Sequence, residues 1–360
     1  MASSVIISCI VLVLFLIASQ SEAHNTPDLV AQLKGINEVG PHLGLLVQTK
    51  SQADAIIKSR HFVPADCDYI DIFARRFHLG WLSQRRVVIV VTGTGILNSG
   101  VCTQLLITLF TLDGIIHYGR AGIGNRLYNI GDIVIASQWA HVGLWHWQRY
   151  GPGEQTGKYT KDIGYLDFHS YSVPIHFCEN TLNKVWFQYE QLFNVNGPPE
   201  VAKQVFWVNV SKSYYAAAKE LEDITLEGCI NRTTCLSKPP KVVRVKRGCS
   251  SNTYIDNLSY KNFLYLKFNV TVIDKDSAAA ALVCESNAMP YLSIRSLSNR
   301  PGEASSKNND PVIFSRLETV NAVVVINKLI TLLAPEPLPP VPPPVKPLVD
   351  ETEFAGHDFW

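Results

Sequence analysis

The chain has 360 residues, with 32 basic and 31 acidic side chains and a formal net charge of +1. That length suits one large domain or two small ones, and near neutrality argues against nucleic acid as a partner. Hydrophobic residues make up 47%, the content of a globular protein with a substantial core.

Val5 to Ala18 is apolar, and small residues follow at Ser21 and Ala23. This is a secretory signal pattern, residues 1–23, with cleavage expected after Ala23. The run is too short for a comfortable membrane span, and no later stretch reads as one. A buried N-terminal helix is the other reading.

Secretion gives meaning to two further patterns. Asn209-Val-Ser211, Asn231-Arg-Thr233, Asn257-Leu-Ser259 and Asn269-Val-Thr271 are glycosylation sequons. Asn269 stands close to a core strand, which counts against its modification. Beyond the signal lie Cys67, Cys102, Cys178, Cys229, Cys235, Cys249 and Cys284. An odd count leaves at least one thiol unpaired or intermolecular. Cys229, Cys235 and Cys249 share a polar segment, so Cys229 is expected to pair with Cys235 or Cys249. Cys102 and Cys284 sit in apolar helical patterns and read as small core residues. No histidine spacing accompanies the cysteines, so no metal site is expected.

The predicted elements follow in order. His42 to Val47 is a short strand and Ser51 to Ser59 an amphipathic helix. Arg86 to Val91 is a β-branched run suited to a strand buried on both faces. It ends in Thr92-Gly93-Thr94-Gly95, before a helix from about Leu97 to Leu109. Bare amides at such a turn, Gly95 included, can bind an oxygen; a purely structural turn reads the same way. Gly114 begins another buried strand, and Asn129 to Asp132 is a turn. Trp139 to Gly151 is unusually aromatic, either a wall over a pocket or a packed surface cluster. His141 and His146 within it read as structural histidines. Ile175 to Tyr189 is an amphipathic helix packed on the sheet. Tyr214 to Leu221 is helical, and Thr225 to Pro240 is a polar excursion. Lys241 to Lys246 is a strand with a solvated edge. Gly248 to Asn257 is a loop.

Phe263 to Arg300 organises the rest. Val270 to Ile273 is a strand and Ser277 to Cys284 an Ala-rich helix. Tyr291 to Ile294 is the next strand, and Arg295 to Arg300 a polar turn. In an open α/β sheet, ligands usually bind at the carboxyl ends of strands. Val320 to Leu333 closes the fold as an apolar helix. Residues 335–360 are a Pro-rich tail expected to lack packed structure, which leaves one domain over 24–334.

Two turns carry a resemblance: Lys275-Asp276-Ser277-Ala278-Ala279 and Arg295-Ser296-Leu297-Ser298-Asn299. They are similar to the nucleoside phosphorylase and nucleosidase superfamily, which usually has Met-Glu-Ser-Ala-Ala and Arg-Gly-x-Ser-Asp there. Gly119-Arg120-Ala121-Gly122 resembles its Gly-Ser-Ala-Gly turn, and Gly131-Asp132-Ile133-Val134 its Gly-Asp-Val-Val turn. The aromatic Trp139 to Gly151 segment resembles the plant bark storage protein branch. The implied fold is a three-layer α/β/α domain with a central mixed sheet, nucleoside phosphorylase-like.

The resemblance also implies site residues. Asn299 stands where the acid that protonates purine N7 is expected. Asp276 takes the place of the ribose-holding carboxylate. Lys275 replaces the usual Met and puts a charge beside the sugar. Arg120 replaces a serine that faces substrate or phosphate. Tyr254, followed by Ile255, occupies the position of an aromatic that stacks on the base. Lys50, in the turn Gln48 to Ser51, stands near the expected water-activating Glu. The implied partners are a purine nucleoside and phosphate, with no cofactor, no nucleic acid, no membrane contact after signal removal, and an oligomeric assembly. Two functions follow. One is a secreted or vacuolar storage-like glycoprotein with catalysis reduced or lost. The other is an active purine nucleosidase or phosphorylase.

Overall fold

The computed structural model describes residues 26–148, 163–168, 184–303 and 314–333. The signal segment 1–23, the Pro-rich tail 335–360, Cys178 and the limits of the domain at 24 and 334 lie outside the described residues.

The chain enters through α1 (Thr26–Glu38), β1 (His42–Val47) and α2 (Lys50–Ile57). A hairpin of β2 (Phe62–Ile72) and β3 (Arg75–Leu82) leads to β4 (Arg85–Val91), α3 (Ile96–Leu109), β5 (Leu112–Ile123) and β6 (Ile133–His141). Strands β7 (Trp145–Trp147), β8 (Tyr165–Asp167) and β9 (Lys184–Phe187) form a small sheet, and β10 (Glu190–Phe193) pairs with β11 (Ala202–Val205). The second half runs β12 (Val208–Asn209), α4 (Lys212–Ala217), β13 (Val242–Ser250), α5 (Leu258–Phe268), β14 (Val272–Asp274), α6 (Ser277–Ser286), β15 (Tyr291–Asn299) and α7 (Ser315–Leu332).

The central sheet is mixed, in the order β12-β6-β13-β14-β5-β1-β4-β3-β2, with β15 paired to β5 and β6. β1 runs parallel to both β4 and β5, and no residue of β1 reaches solvent. Strands buried on both faces need helices on both faces. Here α2 packs on α7 and α3 packs on α6, completing the α/β/α layers. The Ala-rich α6 buries Ala278 to Ala281, and its small side chains let α3 approach closely. Gly248 on β13 follows the same logic. A Cβ there would stand 2.6 Å from the buried Trp139 ring, so only glycine leaves room for the indole.

Several expectations are corrected. Arg295 to Asn299 is not a polar turn but the second half of β15, and Arg295 and Ser296 are fully buried. Lys241 to Lys246 leads into β13: Val242 to Val245 pair with β6, Lys241 and Lys246 are exposed, and β14 joins the other side of the strand only from Gly248. Residues 184–187 of the expected helix Ile175 to Tyr189 form a strand, and residues 175–183 lie outside the described residues. The hairpin β2–β3 had no sequence expectation, because its burial is irregular and its polar residues mask the alternation.

Cys229 and Cys235 are joined by a disulfide. Cys249, the alternative partner, is a free buried thiol on β13, where sheet pairing holds it inside the core. Asn209, Asn231, Asn257 and Asn269 are all exposed. Asn269 lies next to the core residue Val270, yet it turns outward as the left-handed C-cap of α5.

Candidate active site

The carboxyl ends of β1, β4, β5, β14 and β15 meet at one cleft of about 270 Å³. Gln48 and Thr94 lie just beyond β1 and β4, and Arg120 to Gly122 close β5. Asp274 and Lys275 come from the β14–α6 turn, Ser298 and Asn299 from the end of β15, and Thr253 to Ile255 from the loop after β13. The cleft therefore gathers Arg120, Tyr254, Ile255, Lys275 and Asn299. Gly95 and Asp276 are not among its lining residues; they lie next to Thr94 and Lys275 in the chain, with Gly95 at φ 110° on the entry to α3.

Two carboxylates behind the cleft have different surroundings. Asp274 accepts hydrogen bonds from Ser250 Oγ at 2.5 Å, Ser277 Oγ at 2.6 Å and Arg295 Nε at 2.6 Å. Arg295 and Asp274 have no side-chain exposure, so the pair is an internal strut. Arg295 Nη2 also reaches the His117 ring at 3.1 Å. Burial, and then the Arg295 charge, holds His117 well below its ordinary pKa, so the imidazole is neutral and accepts that bond.

Asp276 is wholly buried. Its Oδ1 accepts the Gly95 amide at 2.5 Å, and its Oδ2 accepts the Gln48 side-chain amide. Burial, and then the neighbouring Asp274 charge, raises its pKa. The sequence-based reading placed this carboxylate against a ribose; the fold engages both of its oxygens internally. Lys50, expected near the water-activating position, faces away and bonds Asp54 at 2.8 Å on the exposed side of α2. Gln48 fills that part of the cleft instead. Thr49 caps α2 through a capping box, and this turns residue 48 inward and residue 50 outward.

Two expectations about aromatic residues resolve differently. Tyr254 lines the cleft and is 64% exposed, open to a flat partner. The aromatic segment from Trp139 does not line the cleft among the described residues. Trp139 is buried in the main core, and Trp145 stacks edge-on to Phe187 in a second apolar cluster. Residues 149–151 of that segment lie outside the described residues. His141 Nδ1 lies 2.6 Å from Glu190, the contact of a structural histidine.

Glu318 was not anticipated. It projects from α7, is completely buried, and its Oε2 lies 3.0 Å from Arg120 Nε. A lone acid inside the apolar run of α7 was the available signal. Burial pushes its carboxyl up to about 8 from 4.5, against the opposing pull of Arg120. A carboxyl raised on folding contributes stability that is full below 4.5 and lost as pH rises through about 8. Wild type should therefore lose stability between pH 5 and pH 9, by at most about 5 kcal/mol at roughly 1.4 kcal/mol per pKa unit. Glu318→Gln should flatten that slope. Urea unfolding of both proteins at the two pH values checks this, and equal slopes would reject it.

The Phosphorylase superfamily profile matches residues 42–331, which includes every strand and turn of this cleft. The chain belongs to the phosphorylase superfamily. Within it, the chain is 31% identical to bark storage protein A of Populus deltoides over 316 residues, 86% of this chain and 96% of that relative. Among solved structures, a 5′-methylthioadenosine/S-adenosylhomocysteine nucleosidase from Colwellia psychrerythraea in complex with adenine aligns at TM-score 0.54 and 20% identity, covering 81% of this chain and 95% of that one. A mutant of the Helicobacter pylori nucleosidase with 5′-methylthioadenosine in the active site aligns at TM-score 0.51 and 17% identity, covering 82% and 98%. The phosphorylase-superfamily fold accounts for the mixed sheet and the glycine turn at β4.

Proposed function

We propose that this chain is a secreted, storage-like glycoprotein that keeps a nucleoside-shaped cleft and lacks efficient N-glycosidic cleavage. The bark storage relative supports the storage reading. The nucleosidases crystallised with adenine and 5′-methylthioadenosine support the ligand class. The apolar segment ending at Ala23 and the four exposed sequons support passage through the secretory pathway to the exterior or vacuole.

The observation that carries the loss of catalysis is the side chain at 299. Cleaving a purine nucleoside needs an acid at N7, a carboxylate on the ribose hydroxyls and an activated nucleophile. Asn299 donates a hydrogen bond but has no proton to transfer. Asp276 is engaged by Gln48 and Gly95, and Gln48 is no base. Lys275 adds positive charge where the sugar becomes cationic. One feature favours the alternative of a working purine nucleosidase or phosphorylase: the Asn299 amide faces the cleft and can hydrogen-bond N7.

The purified, glycosylated protein should be incubated with purine nucleosides, with and without phosphate. Free base should form far more slowly than the roughly 1–10³ s⁻¹ of ordinary enzymes. Turnover within that range rejects the proposal and establishes the enzyme.

A further inference from the structure

The cleft's exposed polar groups do not suit a neutral ligand. Arg120 is about one-third exposed at 34%, and the wholly buried Glu318 contacts it through Nε. Its two Nη groups make no hydrogen bond among the described residues. The buried Glu318 carboxyl group therefore contacts the guanidinium on its Nε side, while Arg120 lines the cleft with its Nη groups unbonded among the described residues. Lys275 lines the same cleft and makes no ion pair or hydrogen bond among the described residues. β14 pairs antiparallel to β5 with Ile273 opposite Gly122, so two residues forward from Ile273, just past the end of β14, and two back from Gly122 lead to Lys275 and Arg120, which line the same cleft.

The acids offer these cations nothing on the cleft side. Asp274 is committed to Arg295, and Asp276 to Gln48 and Gly95. What remains is hydroxyl or amide: Thr94, Thr253, Ser298 and Asn299. Covering two cations with a neutral sugar would strip their water and return no partner. An anion removes that penalty, and the planar arginine fork matches two phosphate oxygens. Tyr254 supplies an open ring face for a base at the same cleft.

We propose that the cleft binds a nucleoside 5′-monophosphate, its phosphate held between Arg120 and Lys275 and its base on Tyr254. This rests on the nucleoside-binding reading above and names the form of the nucleoside. Glu318 acts as a positioning residue for the Arg120 fork.

Calorimetry on the full-length glycosylated protein at pH 7 tests it with three probes: adenosine 5′-monophosphate, adenosine, and inorganic phosphate. The monophosphate should bind at least about tenfold more tightly than either other probe, the size expected of one charge-assisted hydrogen bond. Lys275→Met removes no internal partner and should weaken the monophosphate roughly tenfold relative to its effect on adenosine. Arg120→Lys keeps the charge beside Glu318 but loses the fork, and should weaken the monophosphate similarly. Equal binding of adenosine and its monophosphate would overturn this proposal and leave the nucleoside reading standing. Equal binding of inorganic phosphate and the monophosphate would overturn it in favour of a site for the free anion. No binding of either purine compound would overturn both readings. An unchanged monophosphate affinity in Lys275→Met would also overturn it.

Discussion

Arg295→Leu should destabilise the fold by about 3–5 kcal/mol, the usual cost of breaking a buried ion pair by removing one partner. The guanidinium has no solvent exposure and joins three elements: Asp274 at the end of β14, Ser277 at the start of α6, and His117 on β5. Leucine fills part of the volume but leaves the Asp274 carboxylate buried with hydroxyl and amide donors and no cation. The double variant Arg295→Leu with Asp274→Asn should recover part of the loss, because it removes the orphaned charge as well. Urea unfolding of the wild type, both single variants and the double variant measures the coupling. A loss below about 1 kcal/mol, in the range of an exposed ion pair, would show that the strut contributes little.

Asn299→Asp should raise hydrolysis of a purine nucleoside by on the order of 10²-fold. The substitution is nearly isosteric and changes one chemical property, the ability to carry a transferable proton. Asn299 is half-buried at the end of β15, paired across to Gly122, and its Oδ1 accepts from Ser298 at 3.4 Å. An aspartic acid fits the same place against the same neighbour. Measuring initial rates of base release for both proteins at several pH values decides the matter. The variant's rate should fall as pH rises and the new carboxyl loses its proton. Rates equal within about threefold would mean that residue 299 does not limit the reaction. The engaged Asp276 and the charge of Lys275 would then be the barriers.

The two substitutions act at opposite ends of one strand segment, and their effects should separate. Arg295 supports the turn from behind, so its loss should appear in stability. Asn299 faces the cleft, so its change should appear in rate. Alternation alone would put residues 295 and 299 on the same face of β15; the register shift between Leu297 and Asn299 breaks that pattern.

Local residue chemistry was enough to determine much of this protein. The β-branched run of β4, the glycine turn after it and the Ala-rich α6 each demand one conformation whatever surrounds them. Those three signals placed the cleft at the strand ends, and the resemblance to the nucleoside phosphorylases implied Arg120, Tyr254, Lys275 and Asn299 as its residues. The pairing of Cys229 was narrowed to two partners by loop length, and burial of Cys249 in a sheet interior decided between them. Tertiary structure alone decided the rest, because each remaining point depends on residues far apart in the chain. The Arg295 side chain reads as surface until Asp274, from 21 positions earlier, is brought within 2.6 Å. The carboxylate of Asp276 reads as a ligand for sugar until Gln48, 228 positions away, occupies one of its oxygens. Glu318 carries no expectation in the sequence, and only the packing of α7 brings it to 3.0 Å from Arg120. A charge can be buried only where another part of the chain supplies its partner, and the sequence does not state which part that will be.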